Sequence, residues 1–394
     1  MTPAARVQAA IELLDGVIEA AVNAGPAADT IIARYFKSRR YAGSKDRRAV
    51  RELVYAAIRR SGEHPSSGRA AMLGLAQDQP ELIEHFDGSA HGPAAVAQGE
   101  HAACASPAPP WLSGRFDPLV DEDELKALLK RAPLDLRVNC LKASVRGVME
   151  ELPEAVPTPL SPIGLRVPDG ARIEEHRLWQ AGAIEVQDEG SQLLSLSCKA
   201  QPGMTVVDLC AGAGGKTLAL AAEMANGGTI IASDTDRGRL SRMTPRLQRA
   251  GVSIVEPRLL DPGSEMNALS GLRATADLVL VDAPCSGTGT WRRNPETRWR
   301  LNPERLERLV RLQSHLLDLA AELVRPGGAV VYAVCSLLAE EGRLQSEAFG
   351  ERRSAFVSEP PDIRGGRRSG PGHLLTPGHD GTDGFFVARW RAPC

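Results

Sequence analysis

Apolar residues recur along the first part of the chain at the spacing of a helix. Val7, Ile11, Leu14 and Ile18 share one face of the opening segment. A second run, which Ser44 can cap, places Val50, Leu53, Val54 and Ile58 together and leaves Arg47, Arg48, Arg51 and Arg59 elsewhere. Residues 1–85 are therefore predicted to form a small all-helical domain with a basic face. The periodicity vanishes over residues 86–110, where "SAHGPAAVAQGEHAACASPAPP" has the composition of a linker or loop. Residues 111–180 mix one helical run, "EDELKALLKR", with short strand-like runs such as "LDLRVNCL" and "GLRVP", which predicts a compact α+β module.

Over residues 181–394 the pattern alternates. "GAIEVQDEGSQLLSLSC" gives a strand end and then a helix capped by Asp188. "MTVVDL", "TIIAS", "VSIVE", "ADLVLVD" and "AVVYAV" follow as short apolar strands separated by helical segments. The longest helix is predicted over Pro303–Val324, with Leu306, Leu309, Val310, Leu316, Leu317, Leu323 and Val324 on its apolar face and Pro326-Gly327-Gly328 ending it. Pro245 lies inside another helical segment, where a kink or break is expected. Such alternation predicts a doubly wound, Rossmann-like α/β domain with a mainly parallel sheet. No internal repeat is visible.

Composition narrows the setting. A chain of 394 residues with 43% hydrophobic and 24% charged residues suits two or three globular domains, and no apolar stretch is long enough to span a bilayer. Glu12, Asp15 and Glu19 make the N-terminal segment unlike an export signal or transit peptide. Seven cysteines without a C-x-x-C pair suggest neither a zinc site nor a disulfide scaffold, so a reducing cytoplasm and no metal are expected. A monomer is expected as well. The net charge of −2 hides a strong asymmetry. From Arg34 to Arg60 the basic residues Arg34, Lys37, Arg39, Arg40, Lys45, Arg47, Arg48, Arg51, Arg59 and Arg60 face only Asp46 and Glu52. A second cluster, "TWRRNPETRWRLNPERLERLVR", interleaves arginine with two tryptophans. Both patterns are expected to hold nucleic-acid phosphates, the second with base stacking.

The glycine-rich turn in "VVDLCAGAGGKTLAL" sets the candidate chemistry. A triphosphate loop would need its first glycine where Cys210 stands, and Thr217 breaks the dinucleotide pattern begun by Gly212 and Gly214. What remains is a strand, a tight turn and a helix N-terminus whose backbone N–H groups can approach a ligand closely. Asp234, twenty residues after Gly214, can accept hydrogen bonds from ribose hydroxyls. The combination indicates a nucleoside, with S-adenosylmethionine as the leading ligand. Further along, "LVLVDAPCSGTGT" places Asp282 and Cys285 just past one strand, and "AVVYAVCSLLAEE" places Cys335 just past another. Two thiols and a carboxylate beside such a site suit methylation at carbon 5 of a pyrimidine. There a thiolate adds at carbon 6, a carboxyl group such as Asp282 serves the ring N3 edge, and a base removes the carbon 5 proton. An amino-group methyltransferase would leave Cys335 unexplained, and a non-catalytic RNA-binding assembly factor would not need the thiols.

These residues resemble the Sun/nucleolar-protein family of S-adenosylmethionine-dependent RNA cytosine-5 methyltransferases, of the bacterial ribosomal-RNA type. The resemblance runs from about Pro110 to the C-terminus through "RVNCLK", "VQDEGSQL", "DLCAGAGGKT", "SDTD", "DAPCSGTGT", "VCSLLAEE" and "DGFFVARW". The N-terminal segment ending in "RYAGSKDRRAVRELVYAAIRR" is similar to an antitermination-factor-like helical domain. The resemblance implies that Cys210, Ala211, Gly212, Ala213, Gly214, Gly215, Lys216, Asp234, Asp261 and Asp282 bind the cofactor. It also implies that Cys335 is the nucleophile and that Cys285 assists product release. Ribosomal RNA is the implied substrate, with transfer RNA as the alternative. The sequence departs from the family pattern at Ala213, where proline is usual, and at Val334, where threonine is common.

Overall fold

In the computed structural model, which describes residues 1–394, the N-terminal apolar periodicity is carried by four helices, α1 (Pro3–Val22), α2 (Ala28–Ser38), α3 (Ser44–Arg60) and α4 (Gly68–Asp78). Val7, Leu14, Val50, Val54 and Ile58 meet in one buried cluster. Ser44 is the first residue of α3 and not its cap; Gly43 takes that place, and the Asp46 carboxylate accepts from the Gly43 N–H at 3.3 Å. Residues 86–110 contain no helix or strand until Pro110, yet they are fastened to the helices. Ala103 N donates to Ala70 O at 2.9 Å, Ser106 N donates to Arg60 O at 2.9 Å, and Arg69 is ion-paired with Glu100.

The chain divides into two compact units. The first comprises Met1–Gly114, Leu125–Arg131 and Thr290–Asn302; the second comprises Arg115–Glu124, Ala132–Gly289 and Pro303–Cys394. The distant segment Thr290–Asn302 thus belongs with the helices, and this corrects the expected role of the tryptophan-rich cluster. Trp291, Arg298 and Trp299 are buried. Trp299 packs in the helical core and donates from Nε1 to Ser61 O at 2.8 Å. Arg298 donates to Ile58 O, Arg59 O and Pro107 O at 2.6–2.8 Å. Ile58 and Arg59 lie in the last turn of α3, where carbonyls lack the usual helical partners; Ser61 N donates to Ile58 O at 3.2 Å, and the buried guanidinium adds donors to both. Burial pulls the Arg298 guanidinium down to about 9. These groups are spent on packing and cannot stack bases.

The second unit holds two sheets. The smaller contains β1 (Leu134–Val138), β2 (Val156–Pro157), β3 (Gly164–Val167) and β4 (Ile184–Val186), in the antiparallel order β2-β3-β1-β4. The larger contains β5 (Thr205–Asp208), β6 (Thr229–Asp234), β7 (Val255–Leu259), β8 (Ala276–Asp282), β9 (Val324–Val334), β10 (Val357–Glu359), β11 (Arg367–Ser369), β12 (Gly372–Leu375) and β13 (Phe385–Arg391). Its order is β11-β12-β13-β9-β8-β5-β6-β7, with β10 paired to β13. The five strands from β7 to β9 pair in parallel, and the C-terminal strands extend the sheet antiparallel from β9. The fold is therefore the expected Rossmann-like α/β architecture. Its chain order reverses at β5, the place where doubly wound sheets open a ligand crevice.

Two local expectations change. The helix Arg237–Ala250 runs unbroken through Pro245. Ser241, whose carbonyl would have bonded to the missing N–H, is exposed, so water can satisfy it. The long helix spans Pro303–Leu323, and Val324 already begins β9, which carries Pro326-Gly327-Gly328 near its start. Gly327 tolerates this with φ +68°.

Arg298→Ala is expected to lower unfolding stability by about 2–4 kcal/mol, because three carbonyls lose a charged donor. Urea unfolding of the full chain checks this; a loss under about 0.5 kcal/mol would mean that water replaces the guanidinium.

Candidate active site

The turn after β5 is shaped by backbone conformations that favour glycine. Gly212 and Gly214 have φ of +57° and +85°, and a Cβ on either would lie 2.5 Å from Arg239 Nη2 or 2.7 Å from Met243 Cγ. Gly214 caps the helix Gly215–Glu223. The turn, β4 and the helix Arg237–Ala250 enclose a cavity of about 250 Å³ lined in part by Gln187, Asp208, Cys210, Lys216, Arg239 and Asp282. Ala211, Ala213 and Gly215 also line it. Arg246 braces this wall by donating to Ala213 O at 2.8 Å and to the buried Glu185 carboxylate at 3.0 Å. Asn139, within the "RVNC" stretch, donates to Gly182 O and Ala250 O, both at 2.9 Å, and so ties the smaller sheet to the helix end.

Buried and half-buried charges dominate the cavity. Asp208 accepts from Thr217 Oγ1 at 2.7 Å, while its Oδ1 is buried without a partner. Burial, and the neighbouring Asp282 and Asp234 charges, push its carboxyl up to about 7. An orphaned acceptor lining a pocket fits a cationic ligand group such as an ammonium. Lys216 Nζ donates to Asp282 Oδ2 at 2.7 Å. Burial opposes its charge, but the Asp282 carboxylate outweighs burial and raises the ammonium above its ordinary value.

Asp234 is organised differently from the simple ribose acceptor expected. Its Oδ2 accepts from Gly212 N and its Oδ1 from Asp236 N, both at 2.8 Å, and Arg239 Nη1 lies 3.6 Å from Oδ2. The carboxylate thus pins the glycine turn to the end of β6, with Arg239 lying across it. Each oxygen retains acceptor capacity toward a ligand. Asp261 is exposed just beyond β7 and is not among the residues lining the cavity.

The thiols lie at the ends of neighbouring strands. In the β8–β9 register Asp282 stands opposite Ala333, so Cys285 and Cys335 leave the sheet side by side. Their Sγ atoms are 3.3 Å apart and both residues are partly exposed. Contact with Cys335 and burial hold the Cys285 thiol well above its ordinary value. The Lys216 ammonium interacts electrostatically with Cys335. Two buried carboxylates, Asp208 and Glu341, were assigned no role from the sequence, although both lie in stretches that the sequence singles out. Asp208 ends the strand before the glycine turn, where an acid could have been suspected. Glu341 sits six residues beyond Cys335, and nothing in that spacing marks it.

Comparison with known proteins identifies relatives of this chain. The family model described as "16S rRNA methyltransferase RsmB/F" matches residues 195–391. The ribosomal RNA small subunit methyltransferase B of Xylella fastidiosa strain 9a5c is 36% identical over 290 residues, covering 71% of this chain and 68% of that protein. The chain spans about two thirds of the length of the curated relatives it matches. Among solved structures, the crystal structure of PH0851 superposes with a TM-score of 0.77 at 25% identity, covering 98% of both chains. A methyltransferase homolog protein from Pyrococcus horikoshii gives a TM-score of 0.60 at 28% identity, covering 68% of this chain and 90% of that one.

Asp208→Asn should weaken S-adenosylmethionine binding by about 1.5–3 kcal/mol, the range for a charge-assisted hydrogen bond. The sign with pH follows from the raised carboxyl. Below about 7 the free protein carries a proton on Asp208 that a cation must expel, so affinity should fall by up to about tenfold per unit as pH drops from 7 toward 5. Calorimetry across that range tests both, and Asp208→Asn should flatten the dependence; a parent profile already flat would remove Asp208 from the binding site.

Proposed function

Because this chain belongs to the 16S rRNA methyltransferase RsmB/F family, we propose that it methylates carbon 5 of a cytidine in RNA, ribosomal RNA foremost, through a covalent cysteine–cytosine adduct. The observation that carries this reading is the pair of thiols 3.3 Å apart beside the Lys216–Asp282 ion pair. Methylation of an exocyclic amine would need no second thiol.

The cofactor that fits the cavity is S-adenosylmethionine. The orphaned Asp208 carboxylate and the glycine turn from Cys210 to Lys216 would hold it, with Asp234 serving its ribose and Asp282 closing the site toward the substrate. When bound it supplies an electrophilic methyl group. Asp261 lies apart, and any role for it requires the loop after β7 to approach.

Cys335 is the nucleophile. Its thiolate forms a bond to cytosine carbon 6 and shifts the ring's double-bond electrons toward carbon 5 and N3. The Lys216–Asp282 pair places a proton and a carboxylate at the cavity and serves the N3 edge as charge develops there. Carbon 5 can then take the methyl group. Loss of the carbon 5 proton to a base returns an electron pair to the ring, the carbon 6–sulfur bond breaks, and Cys335 is released. Cys285, held as a thiol, assists this last step.

RNA is held in part by the helical unit. Its basic face is thinner than the sequence suggests, because Arg39 pairs with Glu12, Arg51 with Asp29 and Arg60 with Asp78. Arg34, Lys37, Arg40, Lys45 and Arg48 remain exposed, and Tyr41 beside them is 73% exposed. Together they offer cations for phosphates and a stacking surface.

Two experiments test this reading. Cys335→Ala should abolish methyl transfer without trapping RNA, whereas Cys285→Ala should accumulate protein joined to methylated RNA, seen as a slow band on a denaturing gel that ribonuclease shrinks. Trapping by Cys335→Ala instead would exchange the two roles, and trapping by neither would remove the covalent step. Reversing charge at Arg40, Lys45 and Arg48 should weaken RNA binding and reduce its salt slope by about one for each phosphate that is no longer neutralised. An unchanged slope in salt titrations would move RNA binding off this face.

A further inference from the structure

Each thiol is followed by a serine, and both serines converge on one carboxylate. Ser286 donates to Glu341 from its backbone N at 2.8 Å and from its hydroxyl. Ser336 Oγ donates to Glu341 Oε2 at 2.6 Å. Gln313 Nε2 adds a bond to Oε1 at 3.0 Å while donating to Pro284 O at 2.9 Å, so it grips the same loop from outside. Thr288 completes the link: its Oγ1 lies 3.1 Å from Ser336 Oγ and accepts from Leu337 N at 2.8 Å. Glu341 has no solvent exposure, and its own carbonyl accepts from the buried Tyr332 hydroxyl at 2.5 Å.

Stability alone is a weak reason for this arrangement. Burying a carboxylate is costly even when it accepts four hydrogen bonds, and well-packed apolar residues of similar volume often serve a fold equally well. A carboxylate does what they cannot: it accepts from two loops at once and fixes their separation. We propose that Glu341 is a positioning residue that, by binding the residue after each thiol, holds Cys285 and Cys335 at the spacing that lets both act on one pyrimidine ring. The charge also bears on one thiol: Glu341 adds to the contact with Cys335 and to burial in keeping Cys285 protonated.

The proposal rests on the two-thiol reading above, but the thiol spacing can be measured without RNA. Phenylarsine oxide bridges two adjacent thiols: two arsenic–sulfur bonds form, the arsenical oxygen leaves with both thiol protons as water, and no electrons are exchanged. In the parent chain it should block Cys285 and Cys335 together, as peptide mapping after alkylation would reveal. Glu341→Ala should lower this bridging and the single-turnover rate of RNA methylation by about 100-fold each, the scale of a misplacement near 1 Å. Its affinity for S-adenosylmethionine, measured by calorimetry, should stay within about twofold, since Glu341 does not line the cofactor cavity. Glu341→Gln should recover bridging and transfer to within about tenfold. Its amide oxygen can accept from Ser286 N and Gln313 Nε2, and its NH₂ can donate to the two serine hydroxyls. Bridging and transfer at parental levels in Glu341→Ala would overturn the proposal, as would cofactor affinity falling in step with transfer and no recovery in Glu341→Gln. If the parent transfers no methyl group to RNA, the functional reading fails, while the arsenical comparison still decides whether Glu341 sets the spacing.

Discussion

The parallel pairing of β8 with β9 is the constraint on which the site depends. Parallel strands end on the same edge of a sheet, so residues past their carboxyl ends share one crevice wherever they lie in the sequence. With Asp282 opposite Ala333, the register sends Cys285 and Cys335 into adjacent loops although fifty residues separate them. The β5–β8 pairing extends the row, because Asp208 lies opposite Leu280. Three neighbouring strands therefore deliver an orphaned carboxylate, an ion-paired carboxylate and two thiols to one end of the sheet.

That edge is crowded with buried and half-buried charge. Asp208, Lys216 and Asp282 share the cavity, and Glu341 lies behind the thiol loops. Such groups are tolerated because each is matched. Lys216 is paired with Asp282, Glu341 accepts four donors, and Asp208 keeps one oxygen bonded to Thr217. The one unmatched atom, Asp208 Oδ1, lies where a cationic ligand group can complete the set. The enclosing wall is braced from the smaller sheet by Arg246 and Asn139, which gives the small α+β layer a mechanical part in shaping the pocket.

Two stretches of similar composition have opposite fates. In Trp291–Arg300 Arg298 and both tryptophans turn inward, where one guanidinium caps helix carbonyls and an indole fills the helical core. Around Tyr41 the basic residues remain outside. Composition cannot separate these cases, since the same residue types satisfy a buried carbonyl and a phosphate. What separates them is whether chain ends that need donors lie nearby. The helical unit has such ends at Ile58 and Arg59, and it recruits a segment more than two hundred residues away to satisfy them.

Local chemistry made much of the protein legible from its sequence. Periodicity located the helices and the central strands, the glycine turn gave the cavity, and strand ends within Asp-Ala-Pro-Cys and Val-Cys-Ser marked the thiols, because these features act over a few residues. Other features were decided only by tertiary structure. Pro245 stays helical because the carbonyl it leaves unpaired faces water, which no local pattern encodes. Asp234 turns partly inward to hold Gly212, and Asp261 lies apart from the cavity, because each orientation depends on how a loop packs. The 3.3 Å between the thiols and the carboxylate joining their loops arise from strand register and burial, which bring together groups distant in the chain. The sequence determined which groups the site contains; the folded chain determined their distances.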